Sequence, residues 1–214
     1  TLDWDSLRAR MAGREPMPLA DAVKILRDVA QALAFAHERG FVHRDIKPDN
    51  ILLADGAAVV TDFGIAKALN AARTGPDAAA TGLTQLGTAI GTPAYMAPEQ
   101  ATGDPATDHR ADLYALGCMA YELLAGTPPF HGKAVYQLLQ AHLSEVPPPL
   151  EGIRIGVDPA LAALVMACLA KNPDARPATA KAFLHQLDAL RSSGAREAIP
   201  TVLGSTPRRL DKVL

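Results

Sequence analysis

The sequence predicts a mainly α-helical domain with one short β-hairpin set early in the chain. Apolar residues recur at three- and four-residue steps through most of its length, the signature of helices that bury one face. Aromatics make up only 5% of the residues while alanine is abundant, which favours helices crossing on small side chains. Two short runs, Ile51-Leu52-Leu53 and Val59-Val60-Thr61, flank a turn at Asp55-Gly56 and read as paired strands.

The elements follow in order. Trp4 to Met11 reads as a brief amphipathic helix, and Gly13 to Pro18, with two prolines, as a loop. Leu19 to Arg39 carries the strongest helical period, with Val23, Leu26, Ala30, Leu33 and His37 on one stripe and Ile25 and Val29 beside it. Gly40 ends it, since glycine closes a helix without a Cβ penalty. The hairpin follows a polar stretch from Phe41 to Asn50. Lys67 to Ile90 has no sustained period and reads as a long loop. Ala111 to Leu124 is almost wholly apolar, as a helix buried on all sides should be. Ala134 to Leu143, Pro159 to Ala170 and Ala178 to Leu190 read as further helices. Asp158-Pro159 supplies a capping side chain followed by proline at the first helical position. Ser192 to Leu214 has weak period and mixed charge and reads as a linker or tail, leaving residues 1–191 as the folded domain.

The composition removes several functions. With 214 residues, 49% hydrophobic and a net charge of −2, the chain is neither disordered nor broadly basic, so a nucleic-acid partner is not expected. The longest apolar candidate for a membrane span, Leu113 to Ala125, is interrupted by Glu122. The two cysteines, Cys118 and Cys168, sit apart in apolar helical patterns. They are expected as buried free thiols, in keeping with the cytoplasm, and not as metal ligands. Thr1 to Met11 has no signal-peptide pattern.

The chemistry concentrates at His43-Arg44-Asp45-Ile46-Lys47-Pro48-Asp49-Asn50, between the long helix and the first strand. A carboxylate and an amide on one tight loop can orient a hydroxyl and hold a divalent cation through oxygen. Lys47 adds a point charge suited to a phosphate. Twelve residues after Asn50, Asp62-Phe63-Gly64 follows the second strand and offers a further oxygen ligand. Separated oxygen ligands with a lysine describe metal-assisted phosphoryl transfer.

These residues resemble the protein kinases, and in particular the bacterial eukaryotic-like (Hanks-type) Ser/Thr kinases. His43 to Asn50 matches the catalytic loop and Asp62 to Gly64 the metal-binding triplet. Ala97-Pro98-Glu99, within the run from Gly91, matches the end of the activation segment. Asp112 to Gly117 resembles the buried helix of the large lobe, and Arg176 the late arginine of the fold. The motifs stand in family order over about residues 1 to 190. The resemblance implies that Asp45 accepts the substrate hydroxyl's proton, and that Lys47 neutralises the transferring phosphoryl group. Asn50 and Asp62 are implied to hold Mg²⁺ (or Mn²⁺) on ATP. Lys47-Pro48 and Thr92 imply Ser/Thr protein substrates. Arg44 implies a phosphate on the activation loop, with Thr84 or Thr88 as the acceptor and a kinase homodimer for trans-autophosphorylation. Asp112 is implied to hold the backbone at His43 and Arg44, Glu99 to pair with Arg176, and His43 to pack.

A Gly-rich loop, a strand lysine and a helix glutamate are not found in these residues. The resemblance is therefore to the large, C-terminal lobe, a helical bundle whose hairpin carries the catalytic and metal-binding loops, with the small lobe absent. The chain alone is expected to bind ATP weakly and to act as part of a longer protein, a cytoplasmic kinase domain with a membrane anchor after residue 214. A pseudokinase scaffold and a small-molecule phosphotransferase are the competing readings. Asp45, Lys47, Asn50 and Asp62 weigh against the first, and Arg44 with the Gly91 to Glu99 run against the second.

Overall fold

A computed structural model of the chain describes residues 4–12, 17–54, 56–63, 93–151 and 153–197, with side chains to residue 190. The helices, in order, are α1 (Leu7–Met11), α2 (Leu19–His37), α3 (Pro98–Ala101), α4 (Arg110–Ala125), α5 (Val135–Ser144), α6 (Pro159–Cys168) and α7 (Ala180–Glu197). Short 3-10 turns occupy Pro48–Asn50, Pro93–Tyr95 and Pro173–Ala175. The strands β1 (Asp5–Ser6), β2 (Ile51–Ala54) and β3 (Ala57–Val60) form one antiparallel sheet in the order β1-β2-β3.

α4 is the centre of the molecule. Every residue from Ala111 to Leu124 is buried, polar Asp112 and Glu122 included. A helix apolar on all faces is stable only when surrounded, and α2 and α6 pack against it, with α7 lying across α2 and α6. Leu26, Leu33, Leu113, Leu116, Met119, Leu124 and Phe183 are fully enclosed in this core. Burial of each such side chain stabilises the fold by about 1.5–3 kcal/mol. The crossing of α4 and α6 is close: a Cβ at Gly117 would stand 2.7 Å from Cys168 Cβ. Gly126, at φ 84°, turns the chain out of α4 while its N–H bonds the Glu122 carbonyl at 2.8 Å.

The stripe expected on α2 is buried through Ile25, Leu26, Val29, Ala30 and Leu33. At α6, the Asp158 carboxylate accepts from Ala160 N at 2.7 Å, with Pro159 opening the helix as expected. Cys118 and Cys168 are free and buried, and burial pushes the Cys168 thiol up to about 12.

The sheet differs from the expected hairpin in two ways. β1 adds a third strand, pairing Asp5 with Leu53 and Ser6 with Leu52. Two residues are too few to show alternation, and they read instead as the start of the α1 pattern. β3 begins at Ala57 because Ala54 pairs with Ala57 across the turn; register, not side-chain propensity, draws the alanines into the strand. Asp28 of α2 accepts from Ala58 N at 3.0 Å and covers an edge donor that would otherwise be unpaired. α3 and the 3-10 turns also escape the sequence reading, being shorter than one amphipathic repeat. α7 continues to Glu197, past the expected end at Leu190.

Candidate active site

The polar stretch between α2 and β2 takes its shape from one buried carboxylate. Asp112, in the first turn of α4 and fully buried, accepts from His43 N at 2.8 Å and Arg44 N at 2.7 Å. Those bonds hold Arg44 at φ 66°, a left-handed conformation that costs a non-glycine residue about 1–3 kcal/mol. His37, at the end of α2, brings Nε2 to 2.8 Å from the same carboxylate. Gln100 of α3 donates to the Arg44 carbonyl at 3.1 Å, tying the Ala97-Pro98-Glu99 segment to the loop.

His43 is fully buried, and its ring bridges the two halves of the site. Asp45 N donates to Nδ1 at 3.2 Å, so the proton sits on Nε2, which donates to the Thr61 carbonyl at 2.8 Å. The ring also packs on Phe63 at 4.8 Å between centroids. Both nitrogens are engaged in fixing the loop, a positioning role rather than an acid or base.

Asp45, Lys47 and Asn50 come together. Lys47 Nζ donates to Asp45 Oδ2 at 2.9 Å, and Asn50 Nδ2 donates to the Asp45 carbonyl at 2.8 Å and to Oδ2 at 3.3 Å. The Asn50 carbonyl accepts from Thr61 N at 2.9 Å and Thr61 Oγ1 at 3.2 Å. This clasp sets Asp62, exposed and at φ 56°, beside the same loop. Because the Asn50 amide nitrogen is spent on Asp45, its oxygen remains for a cation. An amide oxygen and an exposed carboxylate form a hard, all-oxygen donor set that fits Mg²⁺ or Mn²⁺. No cluster of three His, Cys, Asp or Glu side chains that could hold a metal ion exists among the described residues.

Below the site, Arg176 Nη1 and Nη2 bond Glu99 at 2.6 and 2.8 Å, with the Arg176 side chain fully buried. Gly64, Thr84, Thr88 and Thr92, singled out from the sequence, lie outside the described residues.

The sequence reading missed several contributors. His37 stood on the apolar stripe of α2, where a histidine needs a buried partner; that was the available signal. Gln100 and Arg8 carried none. Asp112→Ala should strand the His43 and Arg44 amides and the His37 ring. Each buried donor left unpaired costs about 1–3 kcal/mol, so urea unfolding should show a drop of several kcal/mol.

Under the Pro93–Tyr95 turn lies a second missed group. Tyr114 OH is 2.9 Å from His142 Nδ1, and Lys171 Nζ donates to Tyr114 OH at 3.2 Å. Since Tyr114 accepts from the ammonium, its own proton goes to His142. Burial, then the nearby Lys171 charge, pushes His142 down to about 4, against a weak contact with the Ala94 backbone. Burial likewise lowers Lys171 to about 8. The unfolded chain therefore binds a proton at His142 that the folded chain refuses between pH 6.5 and about 4. Stability should fall as pH drops through that window, by roughly 3 kcal/mol at about 1.4 kcal/mol per pKa unit. Urea midpoints from pH 7 to 4 should show this loss in the native chain and a smaller one in His142→Gln.

The model of the protein kinase domain family matches residues 2–187. The chain belongs to the protein kinase family. Among its relatives is the serine/threonine-protein kinase PknB of Mycobacterium leprae, 40% identical over 208 residues, 97% of this chain and 32% of that protein. PknB of Mycolicibacterium smegmatis is 42% identical over the same shares. The serine/threonine-protein kinase PknD of Mycobacterium tuberculosis is 46% identical over 177 residues, 82% of this chain and 25% of that protein. The chain thus spans about a third or less of these curated relatives. It is a member of the bacterial Hanks-type Ser/Thr kinases. This member of the family has a mainly helical body with one three-stranded sheet. No helix of its described residues is long and apolar enough to cross a membrane.

Proposed function

We propose that this chain supplies the phosphoryl-transfer machinery of a non-specific Ser/Thr protein kinase, moving the γ-phosphoryl group of ATP to Ser or Thr hydroxyls of proteins. The observation that carries this is the convergence of Asp45, Lys47 and Asn50 on one loop, clasped to the residue before Asp62. Asp45 orients the hydroxyl and takes its proton. The Lys47 ammonium, already 2.9 Å from Asp45, sits where the γ-phosphate must meet that hydroxyl and neutralises it. Asn50 and Asp62 would hold Mg²⁺, and the bound ion would supply neutralisation of phosphate charge. The reaction is positioning and electrostatics, which suits a site braced by Asp112 and His43.

Three finer points belong to the same reading. The 214 residues by themselves transfer phosphate weakly and act within a longer, cytoplasmic kinase. The activation segment is autophosphorylated in trans within a homodimer, at Thr84 or Thr88, with Arg44 receiving the phosphate and Thr92 lying by the acceptor. ATP and proteins with Ser or Thr are its partners.

The test is transfer of radiolabelled γ-phosphate to a mixed protein substrate, with and without Mg²⁺, followed by phosphoamino-acid analysis and phosphosite mapping. Metal-dependent phosphoserine or phosphothreonine supports the reading. A chain that stays silent even within its longer protein, yet retains a partner, is a pseudokinase scaffold. Label found only on small molecules would make it a small-molecule phosphotransferase.

A further inference from the structure

The first half of α2 faces the loop before α6 across a cleft of about 610 Å³. Its floor is apolar: Leu19 and Val23 from α2 meet Val157 and Leu161 from the other wall. Its edge is charged, with Asp21, Lys24, Arg27 and Asp28 on α2 and Asp158 opposite. Beside it Ile155 is fully exposed, so the apolar surface continues past the rim.

Both cations at the edge are already engaged. Lys24 donates to the Gly56 carbonyl, and Arg27 Nε pairs with Asp188 of α7 at 2.9 Å. Asp28 and Asp158 each accept one backbone N–H, from Ala58 and Ala160, and a carboxylate has room for more. With Asp188 included, four carboxylates stand against two cations, a net charge of −2. An apolar floor under an acidic edge suits a peptide that carries both apolar and basic side chains.

The fold delivers such a segment to the cleft. α7 runs antiparallel to α2: Lys181, near its start, pairs with Glu38 just past the end of α2 at 3.7 Å, and Asp188 pairs with Arg27. Beyond Asp188, α7 continues about 13 Å to Glu197, and α2 runs back about 12 Å from Arg27 to Leu19. Glu197 and Leu19 therefore lie at the same end of the helix pair, where the cleft opens. Residues 207–214 read Pro207-Arg208-Arg209-Leu210-Asp211-Lys212-Val213-Leu214. Three basic side chains against one acidic give this stretch a charge of +2, with Leu210, Val213 and Leu214 among them. The residues between Glu197 and Arg208 can span about 36 Å, ample to reach the cleft.

We propose that residues 207–214 dock in this cleft in cis, with their apolar side chains on its floor and their basic ones against Asp21 and Asp158. The chain leaving the kinase domain is thereby folded back onto α2 and α6.

A labelled, amidated peptide of residues 204–214 tests this by fluorescence polarisation. It is titrated with the full 214-residue chain and with its Leu210→Glu/Val213→Glu variant. The variant should bind it saturably. Native chain should bind it at least about tenfold more weakly, because its own segment competes at the high effective concentration a short tether gives. Adding Asp21→Lys and Asp158→Asn to the variant should weaken binding about tenfold. Both positions are exposed, and asparagine keeps the cap on Ala160 N. Should that protein lose its native circular dichroism, Asp21→Asn takes its place, with an expected loss of about threefold. No saturable binding by Leu210→Glu/Val213→Glu, or equal binding by native chain, overturns the proposal. So does affinity untouched by the Asp21 and Asp158 changes, which would put the peptide elsewhere. A native chain that sediments as a dimer, with Leu210→Glu/Val213→Glu a monomer, would place the segment on a second copy and overturn docking in cis.

Discussion

Arg176→Met should lower the free energy of unfolding by about 3–5 kcal/mol, the cost of leaving one member of a buried ion pair without its partner. The geometry puts this pair at the severe end. The Arg176 side chain has no exposure and Glu99 has 8%, so water cannot replace either. Arg176 also donates to the carbonyls of Ala170 at 2.8 Å, Arg110 at 2.8 Å and Lys171 at 3.1 Å. One guanidinium thus joins α3, the start of α4 and the chain leaving α6, with Tyr114 stacked 4.9 Å from its carbon. Removing Glu99 as well, in Glu99→Leu/Arg176→Met, should recover only part of the loss. The stranded charge disappears, but three carbonyls still lack their donor. Urea unfolding followed by circular dichroism measures both variants. A single variant within about 1 kcal/mol of native would show that the pair is not what joins these elements.

How much of this was readable in advance follows from the range of each interaction. Helices α2, α5, α6 and α7 were legible because each shows an apolar period, and α4 because its apolar run is too long for a strand; both signals are local information. β1 and α3 were not, being too short to carry a period; pairing with Leu52 and Leu53 makes one, and Pro98 with the Gln100 bond to Ala97 N makes the other. The chemistry of Asp45, Lys47 and Asn50 was legible because the three lie within six consecutive residues. Asp112 with His43, and Glu99 with Arg176, were reached only through the family resemblance, since 69 and 77 positions separate the partners. Arg8 with Glu122 was reached by neither route. Nothing in a five-residue helix announces that its second side chain crosses to a carboxylate 114 positions away. The Glu122 that interrupted an apolar run was the one visible sign that some cation had to arrive.

Asp45→Asn should reduce the turnover of phosphoryl transfer by about 10²–10⁴-fold, the usual contribution of a positioned general base. The fold should be untouched. Asparagine has the shape of aspartate, and its oxygen can still accept from Lys47 Nζ and Asn50 Nδ2, which now meet Oδ2 at 2.9 and 3.3 Å. The Asp45 backbone keeps both its tethers, to His43 Nδ1 and to Asn50 Nδ2. What is lost is the basic oxygen proposed to take the hydroxyl proton, together with the negative charge that pairs with Lys47 Nζ. ATP binding depends on other groups, so the KM for ATP should change little. Asp62→Asn should show the opposite split: the base stays, the cation loses a charged ligand, and the Mg²⁺ concentration for half-maximal rate should rise. In kinase assays, a KM defect without a kcat defect in Asp45→Asn would sink the assignment of Asp45 as base. An unchanged Mg²⁺ requirement in Asp62→Asn would remove Asp62 from the metal site while leaving Asp45 in place. The two variants therefore divide the site into the half that handles the proton and the half that handles the phosphate. The division falls between two carboxylates and not between two segments: Asp45 stands on the loop fixed by Asp112, with Lys47 and Asn50 beside it, and Asp62 at the strand end clasped through Thr61.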